Sequence, residues 1–226
     1  MPDNLLNIQS VGLGIAAIIA AACIYFSYFA LPKQMERAYK DALYTLAAAV
    51  ETKDSGTIGH ARRVADYAVA VASSLGVSKN ELRIIEYAAL LRDIGKVNVP
   101  HALLNKTGPL TDEEWIIMKS HSTLGAEMVS TVPFLADTAD LILHHHENWD
   151  GSGYPEGLRG EEIPLGSRIL AIATDYDAMV SNRPYHQAMQ PEQALEIIKN
   201  DIGIKYDPKV AEVFLNFING KTQKAA

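Results

Sequence analysis

Apolar residues fill the chain almost without interruption from Val11 to Leu31, and no charged residue occurs from Asn4 to Pro32. A run of that length crosses a bilayer core as a single helix. Only Asp3 carries charge before it, and Tyr28, Phe29 and Leu31 close it where a cleaved signal would place small residues, so the run reads as an anchor. From Lys33 to Lys53 the pattern changes. Met35, Tyr39, Ala42, Leu43, Leu46 and Val50 recur near helical spacing among charged positions, which predicts an amphipathic connecting helix. Asp54-Ser55-Gly56 interrupts it, and Val64, Tyr67, Ala68, Val71 and Ala72 form the next apolar stripe, ended by Gly76. Further helices are predicted over Glu81–Leu91, from a Thr111/Glu114 cap through about Ser120, over Thr123–Ser130 and Leu135–His146, over Ser167–Val180, from Pro191, and over Val210–Ile218. No stretch sustains strand alternation, so the fold class is all-α.

The domain plan that follows is a short extracytoplasmic N-terminus at 1–10, a transmembrane helix at 11–31, the connecting helix at 33–53, one helical domain at 54–219 and a polar tail at 220–226. A length of 226 residues suits one medium domain plus such an accessory segment. Lys33, Arg37 and Lys40 lie just after the apolar run, which places the domain on the cytoplasmic side of a single-pass protein. The formal charge of −7 argues against a DNA-binding surface. The lone cysteine, Cys23, excludes a disulfide framework and a Cys-rich zinc module, which leaves histidine and carboxylates as metal ligands.

Four of the seven histidines, His60, His121, His145 and His146, fall where apolar helical segments meet polar loops. His60 and Arg63 share a helix face, whereas adjacent His145 and His146 diverge by about 100° and can reach two ions. Asp93 ends its own apolar helix with two oxygens available for bridging, and Asp175 offers a further carboxylate. Mixed His and Asp ligation suits iron, manganese, zinc or nickel better than magnesium or calcium. A bridged pair of such ions activates water and stabilises the attacking and leaving oxygens of a phosphoryl displacement, with Lys96 placed to neutralise the growing charge. Each residue also has a plain structural reading: a satisfied core histidine, a turn aspartate, a solvated lysine, or, for Asp175, a partner of Arg168 or Arg183. Their joint occurrence with Gly153-Tyr154-Pro155 favours the site.

These segments resemble the HD-GYP family of metal-dependent phosphodiesterases, from about Asp54 to Phe217. Gly59-His60-Ala61-Arg62-Arg63-Val64 is similar to the family's first His-containing helix, and Arg92-Asp93-Ile94-Gly95-Lys96 stands where the family has His-Asp-Ile-Gly-Lys. His121 matches an isolated ligand histidine, and His145-His146-Glu147 with Asp150-Gly151-Ser152-Gly153-Tyr154-Pro155 is the signature itself. Thr174-Asp175-Tyr176-Asp177-Ala178 resembles the late ligand segment, followed by Arg183-Pro184-Tyr185. The resemblance implies a single helical HD-type domain that hydrolyses the bacterial messenger cyclic di-GMP or a related nucleotide, which the apolar run would anchor in the bacterial inner membrane. It implies metal ligation by His60, Asp93, His121, His145, His146 and Asp175, with up to two divalent ions, iron or manganese foremost. Asp93 and Lys96 would act in catalysis, and Lys96, Tyr154 and Arg183 would face the substrate.

Arg92 departs from the pattern in the decisive place. A guanidinium has no free lone pair and stays charged, so it cannot hold a metal. The site made of His60, Asp93 and Asp175 should therefore empty first, while Asp93, His121, His145 and His146 keep a second ion. Gly56 stands where trinuclear members carry a ligand Glu, and His186 stands where a Lys or Arg often assists Arg183. Two readings remain open: an impaired phosphodiesterase, or an inactive domain that senses a nucleotide or engages a signalling partner, with a homodimer through the connecting helix as a further option.

Overall fold

The computed structural model describes residues 2–53, 59–182 and 187–225, with side chains described for 11–53, 59–182 and 187–220. The described residues contain α-helices and short tighter turns, and no strand, as the periodicity predicts. They divide into two compact units, Met1–Ala42 and Leu43–Ala226. In the first, α1 (Pro2–Tyr25) gives way to a wider helical turn at Phe26–Ala30 and then to α2 (Leu31–Lys53). The stretch has one helical segment long and apolar enough to cross a membrane, and its hydrophobic window is fully exposed.

The second unit takes in the last turns of α2, whose Leu43, Ala47 and Val50 are buried in the common core. Its centre is α3 (His60–Ser74), packed along α4 (Lys79–Leu91) and α8 (Leu165–Val180). The reason is visible in the chain: Val64, Ala68, Val71 and Ala72 of α3 are completely buried, and small alanines let the helix axes approach. In α8, Ile169, Leu170, Ile172 and Ala173 are buried on nearly every side, the mark of a central helix. Gly76 ends α3 with φ 79°, and Ser78 with Glu81 forms a reciprocal cap that starts α4.

Two helical expectations change in detail. The segment expected as two helices is one, α6 (Asp112–Ser130), started by the predicted Thr111/Glu114 cap. Its apolar pattern breaks at His121 and Ser122 because those polar residues are themselves buried. The segment Leu135–His146 is shorter than expected: α7 covers only Ala139–Leu143, and the three histidines that follow form a turn. The chain closes with α9 (Pro191–Asn200) and α10 (Pro208–Ala225), while α5 (His101–Leu104) is a single turn. The last helix therefore extends through the expected polar tail as far as Ala225.

Glycine makes one approach possible. Gly95 lies in the tight turn Ile94–Asn98, and a Cβ there would run into the His121 carbonyl and come within 2.7 Å of the Gly125 nitrogen. The turn after Asp93 can thus press directly on α6. Lys53, at the end of α2, holds the same turn from the other side. Its ammonium donates to the carbonyls of Lys96, Val97 and Val99 at 3.1, 2.7 and 2.8 Å. Glu51 meanwhile accepts from the Gly59 N–H at 2.7 Å and from Ala61 N–H, fixing the start of α3 and with it His60.

Candidate functional site

Three imidazoles converge where α6 meets the turn after α7. His121 and His145 are buried, and each Nδ1–H donates to a carbonyl one turn back, to Met118 and Ile142, both at 2.6 Å. That bond settles the tautomer and leaves Nε2 of each ring with its lone pair. His146 Nε2 lies 3.2 Å from His121 Nε2. Burial lowers the His145 imidazole to about 3, with the neighbouring His121 adding to the effect. Burial likewise holds His146 well below its ordinary value, helped by His145 and His121. His145 and His146 are thereby kept as neutral nitrogen donors.

The geometry fits a metal ion. The three donor atoms lie within 4.8 Å of one another. Two nitrogens bound about 2.1 Å from one ion at ordinary coordination angles stand about 3.0–3.4 Å apart, which is the His121–His146 spacing. His145 Nε2 is buried without any partner, an orphan that a metal would satisfy. Asp93 Oδ1 is the nearby carboxylate, 3.9 Å from His121 Nε2. Such a set of three imidazoles and one carboxylate suits a divalent transition metal.

Asp93 also has two cations of its own. Lys96 Nζ lies 3.0 Å from Oδ1, and Arg92 Nη2 lies 3.2 Å from Oδ2. Burial pushes the Asp93 carboxyl up, but Lys96 and Arg92, with His121 and His145, outweigh it and hold it well below the usual carboxylate range. Arg92 is 1% exposed. Its Nη1 donates to the Ala89 carbonyl at 2.7 Å, its Nη2 meets Asp93 as an ion pair without hydrogen-bond alignment, and its Nε has no partner.

Two expected ligands stand apart from the imidazole cluster. His60 Nδ1 lies 2.6 Å from Asp177 Oδ2, and Arg63 grips the same carboxylate through Nε and Nη2 at 2.7 and 2.9 Å. His60 is lowered by burial and then by the Arg92 charge. Asp175 Oδ2 is held by the Tyr206 hydroxyl and by Lys205 Nζ, both at 2.8 Å. Arg168, one of its imagined partners, pairs with Asp207 instead, at 2.6 Å. The oxygen of α8 that has no partner belongs to the neighbouring Thr174. Arg183, His186 and Gly56 lie outside the described residues.

Tyr154 closes over the cluster. Its ring stacks on His146 at 4.7 Å between centroids and 21° between planes, and its hydroxyl is raised above the ordinary phenol value by burial, then by Asp93 and Asp175. The loop that carries it is held by Glu147, which accepts from the N–H groups of Glu156 and Gly157 at 2.8 and 3.1 Å. At Gly153 a Cβ would meet the Asn148 nitrogen and the Glu147 backbone, so the fold demands glycine there. The Tyr154–Pro155 bond is cis.

His145, His146, Tyr154, Thr174 and Asp175 line a cavity of about 680 Å³. Trp115, Ile116 and Lys119 of α6 line it too, as does Lys205; sequence reasoning singled out none of these four. The signal was present for α6, where residues 112, 115, 116 and 119 share one helix face. Nothing local ties Asp177, a residue of the late segment, to His60 across 117 positions.

A family model described as HD domain matches residues 45–210. The cyclic di-GMP phosphodiesterase response regulator RpfG of Xanthomonas campestris pv. campestris is 41% identical over 184 residues, 80% of this chain and 49% of that protein. A cyclic di-GMP phosphodiesterase of Thermotoga maritima is 43% identical over 167 residues, 73% of this chain and 45% of that protein. The chain spans about half the length of these curated relatives. A solved cyclic GMP-AMP specific phosphodiesterase of Vibrio cholerae shares the fold, with a TM-score of 0.63 at 23% identity over 79% of this chain and 48% of that one. From the all-helical core, the histidine cluster and the match over most of its length, this chain belongs to the HD domain family.

Proposed function

We propose that this chain is a phosphodiesterase-type domain that takes cyclic di-GMP or a related cyclic dinucleotide and uses one divalent ion held by His121, His145, His146 and Asp93. The observation that carries this reading is the convergence of three imidazole donors, two of which, His145 and His146, line a cavity of about 680 Å³. A divalent ion bound there supplies Lewis-acid polarisation of a phosphoryl oxygen and lowers the pKa of water. The chain's own groups do the rest. Lys96 and Arg92 keep Asp93 ionised for ligation, the protonated Tyr154 hydroxyl donates to a phosphate oxygen, and Lys119 and Lys205 attract the anionic ligand. One water adds to phosphorus, one ester P–O bond breaks, and the departing sugar oxygen leaves as a hydroxyl on the linear dinucleotide.

A second ion has poor support. His60 and Asp175 are bonded elsewhere, and the fixed Arg92 charge repels a cation. That observation favours a second reading, an inactive domain that binds the nucleotide without turnover. The exposed apolar helix and the cations Lys33, Arg37 and Lys40 after it support a single-pass anchor in a bacterial inner membrane with the domain in the cytoplasm. The test is to purify the full chain in detergent without chelator, count metal per chain, and assay cyclic di-GMP cleavage with added manganese or iron. One ion with turnover supports the enzyme. A folded chain that binds the nucleotide but cleaves nothing supports the inactive domain, and failure to bind any cyclic dinucleotide overturns both.

A further inference from the structure

On α6, Asp112, Trp115, Ile116 and Lys119 recur at intervals of three and four, so they form one face of the helix. That face does not enter the core; α6 buries His121, Ser122, Gly125, Ala126 and Val129 instead. The four residues line the same cavity as His145 and His146. Trp115 is 46% exposed and Ile116 71% exposed. Large apolar side chains left open on the wall of a cavity with a polar floor mark the place where the apolar part of a ligand goes.

The cavity is therefore divided in two. Around the imidazoles stand His146, the Tyr154 ring stacked upon it, and Lys119 with its ammonium 5.2 Å over that ring, a surface suited to phosphate. Towards the start of α6 stand the indole of Trp115 and the side chain of Ile116. A cyclic dinucleotide has the same division, with anionic phosphates joined to flat purines, and purines stack on exposed indoles in a way that needs no particular sequence. Asp112, one turn before Trp115, adds a reading element. A carboxylate accepts two hydrogen bonds side by side, and the Watson–Crick edge of guanine offers two adjacent N–H donors, at N1 and N2. Adenine offers one donor next to an acceptor, which a carboxylate repels.

We infer that this face of α6 is a base subsite, in which Trp115 and Ile116 take up one purine face of a bound cyclic dinucleotide and Asp112 selects guanine. The inference rests on the proposed ligand class and goes beyond it by assigning its recognition.

The test uses the full chain in detergent with manganese and a bisphosphorothioate analogue of cyclic di-GMP, which resists hydrolysis, with the matching cyclic di-AMP analogue as comparison. Binding is measured by calorimetry and indole fluorescence together. The expected results are quenching of Trp115, a loss of about ten-fold or more in affinity in Trp115→Ala, and recovery to within about three-fold in Trp115→Phe, with the quenching gone. Asp112→Asn should narrow the preference for the guanine analogue by about ten-fold while metal content per chain stays unchanged. Tight binding by the unaltered chain that neither quenches Trp115 nor responds to Trp115→Ala overturns the subsite and leaves the ligand class standing. A Trp115→Ala chain that binds normally but changes its oligomeric state also overturns it, since the face then covers a second copy. No binding of either analogue overturns the ligand class, and the subsite with it.

Discussion

The Arg92 guanidinium stands 3.2 Å from the Asp93 carboxylate, so a permanent cation lies buried beside the carboxylate nearest the imidazole cluster. This pair governs how strongly the site can attract a metal. Replacing Arg92 by histidine removes a charge that repels any cation at the cluster, and Lys96 remains to hold Asp93 ionised. Arg92→His should tighten metal binding at the cluster by about ten-fold or more, measured by competition with a chelator. Unchanged affinity would mean that the guanidinium is electrostatically remote from the ion.

His145→Gln should bring bound metal below about a tenth of the original content while the far-ultraviolet spectrum stays helical, because it removes a donor that has no other partner. The same residue sets a pH dependence in the metal-free chain. Its folded imidazole lies at about 3, below the ordinary 6.5, so the unfolded chain binds a proton that the folded chain refuses between those values. Its contribution is present in full above about pH 6.5 and declines as pH falls towards about 3, at up to about 1.4 kcal/mol per pH unit. The metal-free melting temperature should fall over that window, and fall less in His145→Gln.

Asp177 is buried and accepts from His60 and from both arms of Arg63. Burial raises its carboxyl, but the bonds to His60 and Arg63 prevail and bring it to about 2. A depressed carboxylate contributes stability above its unfolded value of about 3.9 and loses it as pH falls through about 2. Asp177→Asn should cost about 3 kcal/mol at neutral pH, the low end for a buried pair because Arg63 is partly exposed. Denaturant unfolding at pH 7 and near pH 2.5 checks this: the difference between variant and parent should shrink at the lower pH.

Gly95→Ala places a methyl group against the His121 carbonyl. The turn must then withdraw from α6, at a cost of about 1–3 kcal/mol, and Asp93 moves away from the imidazoles with it. Melting temperature and metal affinity should fall together. A loss of stability with metal affinity intact would uncouple the turn from the site.

Much of this site was legible residue by residue. His121, His145, His146 and Asp93 stand out in the chain because polar groups interrupt or end apolar segments there, Lys96 follows one turn after Asp93, Tyr154 came with the Gly-Tyr-Pro motif, and the structure gathers them. The break that misleads helix prediction at His121 and Ser122 is the same break that marks the site, since a buried polar residue disturbs an apolar pattern without ending the helix. What stayed hidden is partnership. His60 and Arg63 share a face, as their spacing says, but spacing is silent on which carboxylate of α8 they meet. Asp175 and Asp177 lie two residues apart on a helix and so point to different sides, one to Lys205 and Tyr206, the other to His60 and Arg63.

The sequence by itself determined the all-α class and most of the helices, because apolar spacing and reciprocal Ser/Glu or Thr/Glu caps act within a few residues along the chain. It also determined the apolar N-terminal helix, for the same local reason. Only the tertiary structure decided that Lys53 holds the turn after Asp93, that Asp177 claims His60, and that a tryptophan of α6 shares a cavity with the histidines. Those contacts join residues far apart in the chain, and their partners are chosen by which helices the core can pack together.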